Sequence, residues 1–195
     1  MAIRYKGICK SLDDLPQRTA PAGAVQFREP SSRQLALILN VGVLVILALL
    51  AIPFVSLAEP YLYLDESLPS EILGLVGAVA AVVPHELLHA SCFKEEAGVY
   101  LYPKGGAMFV LGLEDMSRGR FVFMSLLPNI VFGWVPYLVF LLFPHLVGLG
   151  VFGLLSTAAG AGDYLNVFNA LTQVPKGAAV YMSGSHTFWY QKAGA

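Results

Sequence analysis

The sequence predicts an all-α membrane protein, a bundle of about four transmembrane helices. Three observations carry that expectation. Of the 195 residues 56% are hydrophobic and only 13% charged, where an ordinary globular domain is about 25% charged. Four stretches are long and apolar enough to cross ~30 Å of hydrocarbon, which takes about 20 helical residues. The twelve Lys and Arg residues all fall outside those stretches, on what would be one side of the bilayer.

The elements follow in order. Residues 1–34 are polar and read as a cytoplasmic N-terminal segment, with no cleavable leader expected. Residues 35–170 form the membrane domain, with spans at 35–57, 71–93, 121–143 and 146–170. Pro144 and His145 mark the turn between the last two. Residues 171–195 form a cytoplasmic tail. The loop between the first two spans carries Glu59, Asp65, Glu66 and Glu71 and no Lys or Arg, so both termini are expected in the cytoplasm. Residues 99–113 read either as a hairpin turning at Lys104-Gly105-Gly106 or as an interfacial loop held by aromatic anchors.

Some classes drop out early. A net charge of −1 gives no basic excess, so no nucleic-acid partner is expected. Cys9 and Cys92 do not make a disulfide framework. The expected surroundings are a lipid bilayer and a membrane protein or peptide as substrate.

Charged groups inside a span are costly and usually functional. Apart from end residues, the four spans hold two carboxylates, Glu86 and Asp163. His85 and His89 flank the first, in the order His85-Glu86-Leu87-Leu88-His89. At i and i+4 on a helix the two imidazoles project from one face. That spacing suits two nitrogen ligands of one Zn2+, and Glu86 is placed to act on water as a general base. The alternative is a polar contact between helices, with the histidines hydrogen-bonded inside the bundle.

A catalytic zinc takes three protein ligands. Asp163 is the later carboxylate at membrane depth, and His186 in the tail is a more remote choice. Counting ~1.5 Å per residue along unbroken spans puts Asp163 between the heights of His85 and His89. Gly160-Ala161-Gly162 is a place for the helix to loosen just before it. Asn129 lies on the cytoplasmic half of the third span, with Pro128 and Pro136 breaking the ladder. It can donate to a substrate carbonyl or an oxyanion, or bond between helices.

At these residues the chain resembles the zincin-type intramembrane metallopeptidases typified by the site-2 proteases, which share His-Glu-x-x-His in one span and an aspartate ligand in a later one. It is more similar still to a family of small multi-pass proteins of unknown function described as zincin peptidases. The matching features there are His85 to Ala90, and Gly162-Asp163 through Pro175-Lys176-Gly177. Site-2 proteases usually read Leu-Asp-Gly at the aspartate, and this chain reads Gly162-Asp163-Tyr164.

The expected function is therefore a zinc endopeptidase working near the cytoplasmic side. His85, His89 and Asp163 hold the metal, Glu86 is the base and Asn129 an assisting donor. The rivals are a zinc-binding membrane protein without peptidase activity and a metal transporter.

Overall fold

The computed structural model describes residues 2–62, 67–105 and 107–192. Asp65 and Glu66 of the expected acidic loop, and Gly106 at the expected hairpin turn, lie outside them. The elements run β1 (Ala2–Ile8), β2 (Val25–Gln26), α1 (Ser32–Ala58), α2 (Ser67–Ala80), α3 (Val82–Ser91), β3 (Glu96–Tyr102), β4 (Ala107–Leu111) and β5 (Met116–Ser117). There follow α4 (Arg118–Pro128), a π-helical segment (Asn129–Trp134), α5 (Val135–Leu142), α6 (Val147–Ala159), α7 (Ala161–Gln173), β6 (Ala179–Ser183) and β7 (His186–Tyr190). The chain divides into two compact units.

The first unit comprises Met1–Glu29, Glu86–Leu126 and Leu165–Ala195, and it overturns the all-α expectation. Among the described residues it contains two sheets, of strand order β1-β3-β4 and β2-β7-β6-β5. The segments expected to be polar extensions supply four of these strands. β1 runs parallel to β3, with Ala2 opposite Glu96, and β2 pairs antiparallel with β7. Pairings so distant in sequence leave no trace in a hydropathy window, and β2 and β5 are two residues long.

Residues 99–113 contain the antiparallel pair β3–β4, with Tyr100 opposite Phe109. Their rings stack with centroids 5.5 Å apart, the kind of cross-strand pair that fixes register. Beneath the strands lies a core of Phe27, Phe93, Val99, Met116, Phe121 and Val180, which also takes in Ala90 from α3.

A buried ion pair ties down the chain just after α3. Glu114 accepts the backbone N–H groups of Lys94 (2.9 Å) and Glu95 (2.6 Å) and pairs with Arg120. The Arg120 guanidinium in turn donates to the Cys92 carbonyl at 2.6 and 3.0 Å, covering an orphan acceptor of the last turn. A second knot joins the N-terminal segment to the tail: Arg18 meets Asp115 at 2.9 Å and lies over the Tyr181 ring. Tyr190 donates to the other Asp115 oxygen at 2.5 Å.

The second unit, Pro30–His85 with Leu127–Tyr164, is helical and apolar. Among the described residues two helices are long and apolar enough to cross a membrane, Ser32–Ala58 and the continuous run Arg118–Leu142, with a third if α2 and α3 are one bent span. The four-span bundle is therefore not what forms. The stretch 71–93 breaks at Ala81 with a 43° bend. Pro84 explains it: its nitrogen offers the Ala80 carbonyl no hydrogen, and its ring crowds that carbonyl.

The stretch 146–170 breaks at Gly160 into α6 and α7, each 13 residues and so ~20 Å long, short of a ~30 Å core. Heights counted along unbroken spans do not apply to either stretch. α6 packs against α2 so closely that a Cβ on Gly148 would strike the Ser70 carbonyl, the small-residue contact typical of membrane helices. α1 presents Leu37, Leu44, Leu49 and Ile52 outward, an apolar coat of the kind that marks a lipid-facing surface.

Burial pushes the Glu114 and Asp115 carboxyls up. Hydrogen bonds from Lys94, Glu95 and Arg120 to Glu114, and from Tyr190 and Arg18 to Asp115, outweigh it and hold both below the usual carboxylate range. Groups depressed on folding stabilise fully above their unfolded values of ~4.3 and ~3.9, and that contribution is lost as pH falls through the folded values. Thermal melts in detergent should therefore be flat from neutrality to about pH 5 and fall steeply below it. Glu114→Gln should lower stability at neutral pH by about 1–3 kcal/mol and shallow the acid limb.

Candidate metal centre

The bend at Ala81 starts a new helix three residues before the motif, so α3 carries His85, Glu86 and His89 by itself. Ala90 and Phe93 anchor its far end in the core of the first unit. On this helix His85, Glu86 and His89 bring one ligand atom each within 4.8 Å of one another. His89 is buried, and its Nδ1 lies 2.9 Å from the Met124 carbonyl. A carbonyl only accepts, so Nδ1 carries the hydrogen, and the neutral ring then offers its Nε2 lone pair, as in most histidine metal sites.

His85 meets the aspartate singled out in the sequence. Its Nε2 stands 3.1 Å from Asp163 Oδ2. Asp163 lies in the first turn of α7, where the helix dipole favours a negative charge. Its backbone N–H donates to the Gly160 carbonyl at 2.9 Å. Asn129, at the head of the π-helical segment, donates from Nδ2 to the same Asp163 oxygen at 2.7 Å. Of the two uses read for Asn129, the structure displays the bond between helices.

The donor set fits zinc. Ligands ~2.0–2.1 Å from a tetrahedral ion lie about 3.3 Å apart, close to the His85–Asp163 separation. The close trio does not include Asp163, which reaches the group through His85. The other candidate is engaged elsewhere: His186 Nδ1 is 2.6 Å from Glu29.

Three features escaped the sequence reading. Pro84, one residue before His85, was a visible helix breaker. The Met124 carbonyl is backbone and leaves no mark in composition. The Glu114–Arg120 pair closes only in the fold.

A family profile described as "Putative zincin peptidase" matches residues 78–179, just over half the chain. The chain belongs to this DUF3267 family. The matched region takes in His85, Glu86, His89, Asn129 and Asp163, and a zincin family implies zinc. No curated protein and no solved structure matches the chain, so the likeness to site-2 proteases stays a resemblance.

Purified protein should contain about one zinc per chain by elemental analysis, and a His85→Ala, His89→Ala double variant should contain none, because metal binding needs both imidazoles. Wild-type protein that stays metal-free after zinc reconstitution would remove the metal centre.

Proposed function

We propose that this DUF3267 member is a multi-pass membrane endopeptidase that uses zinc to hydrolyse a peptide bond near the cytoplasmic face. The observation that carries it is Glu86 beside two histidines on one helix face, with Asp163 3.1 Å from the first of them. His85, His89 and Asp163 would hold the metal. When bound, zinc polarises the scissile carbonyl and makes water a usable nucleophile at neutral pH. Glu86 takes a proton from the attacking water and returns it to the leaving amine. The Met124 carbonyl keeps His89 in the tautomer that presents Nε2. The substrate is a membrane protein or peptide within the bilayer or beside it.

The cytoplasmic placement draws support from charge. All the Lys and Arg residues except Arg33 belong to the first unit, and positive charge stays on the cytoplasmic side. Cysteine labelling from each face tests this: a cysteine at position 104 should react only from inside. Labelling from outside would reverse the orientation.

A second reading has one observation in its favour. The Glu86 carboxylate lies close enough to both imidazoles to be a ligand itself, as in a zinc-binding protein without peptidase activity. The two readings part at Glu86→Gln. As a base, Glu86 is dispensable for metal: the variant keeps its zinc, and cleavage of co-expressed single-span substrates falls at least ~10²–10⁴-fold. Asp163→Ala loses zinc affinity and cleavage together. Equal cleavage by wild type and Glu86→Gln would end the peptidase assignment, and zinc loss in Glu86→Gln would favour the structural site.

A further inference from the structure

We infer that Asn129 is a positioning residue for Asp163, and that the helix break at Gly160 exists to admit its side chain. The inference rests on the zinc-peptidase reading, because what Asn129 positions is the third ligand.

Asn129 is 1% exposed inside an apolar helical unit, a setting where a side-chain amide is unfavourable unless it is hydrogen-bonded. Its Nδ2 donates at 2.7 Å to Asp163 Oδ2, the oxygen that also faces His85 Nε2 at 3.1 Å. One carboxylate oxygen is thus pinned from two elements, and the rotation of Asp163 about its side-chain bonds is restricted. A carboxylate that must meet a metal needs this kind of restraint, and its partners are commonly as important as the ligand.

The other end of the same amide is fixed by shape. A Cβ on Gly160 would fall on Asn129 Oδ1. Any other residue at 160 must therefore expel the amide or push the two elements apart. The Gly160 carbonyl also receives the Asp163 N–H at 2.9 Å and the Tyr164 N–H at 3.1 Å. The residue that makes room for Asn129 is therefore also the residue that starts the turn bearing Asp163.

The backbone that carries Asn129 is itself irregular, a π-helical segment over Asn129–Trp134. Such segments insert an extra residue into a turn and are frequent at functional sites. Asn129 opens this one. Gly133, four residues on, packs against Thr157 of α6 so tightly that a Cβ would clash. The segment therefore meets two elements, α6 through the close Gly133–Thr157 contact and α7 through the Asn129 amide and the Asp163 carboxylate.

The two contact points give the experiment its control. Zinc affinity is measured on the full-length protein in detergent by chelator competition, beside the absorption spectrum of the Co2+-loaded form and the thermal midpoint. Asn129→Ala and Gly160→Ala should each weaken zinc binding by about 10–100-fold and shift the Co2+ bands. Asn129→Leu removes the donor, keeps the volume and suits an apolar setting, and it should weaken zinc equally if the alanine variant folds poorly. Gly133→Ala should lower the thermal midpoint while leaving zinc affinity and the Co2+ spectrum as in wild type.

Wild-type affinity and spectrum in folded Asn129→Leu would overturn the inference while leaving the zinc site intact. An affinity loss in Gly133→Ala as large as in the Asn129 variants would overturn it too, by showing a general packing effect. If His85→Ala retains wild-type affinity, the zinc reading fails and takes the inference with it.

Discussion

An aspartate cannot be left alone among apolar helices. The isolated ion would be expelled or neutralised, so the chain must bring donors to it. Asp163 meets this constraint with the Asn129 amide, the His85 imidazole and the N-terminal end of α7. Three irregularities of the helices lie close to this cluster. The helix bearing His85 restarts after a bend at Ala81, Asn129 heads a π-helical segment, and the helix bearing Asp163 restarts after Gly160. A regular helix presents its polar groups only at fixed angles along an unbroken rise. Each irregularity lies within four residues of His85, Asn129 or Asp163, and within three of a proline or glycine.

The first unit answers a different need. His89 and Glu86 lie on a short helix, and ten residues are too few to be stable without packing. The sheets provide that packing through Ala90 and Phe93, and the Glu114–Arg120 pair fastens the turn that follows. β1 and β2 from the start of the chain and β6 and β7 from its end complete the sheets that this helix leans on. The turn that bears the two histidines is thus supported by residues far from it in sequence, which is why a local motif needs so much of the chain around it.

How much was legible in advance depended on range. The His85, Glu86 and His89 face follows from helix periodicity alone, and Asp163 stood out because carboxylates are scarce in apolar runs. The breaks were half legible: Gly160 was marked as a place to loosen, whereas Pro84 went unread although it precedes the motif directly. Counting heights along unbroken spans led to Asp163, but by a geometry the chain does not adopt. The sheets were the largest omission, because a parallel pairing of Ala2 with Glu96 and strands of two residues generate no periodic pattern. Asn129 was recognised as polar and placed, but its partner could be seen only once the helix beside it was known to break.

The central claim, a zinc held by two imidazoles and a carboxylate, is tested most directly by X-ray absorption at the zinc edge on the purified metal-loaded protein. The account predicts imidazole scattering from two histidines with nitrogen and oxygen neighbours at ~2.0–2.1 Å, and one oxygen neighbour fewer or altered in Asp163→Ala. Sulfur neighbours at ~2.3 Å, or a first coordination sphere unchanged by Asp163→Ala, would contradict it.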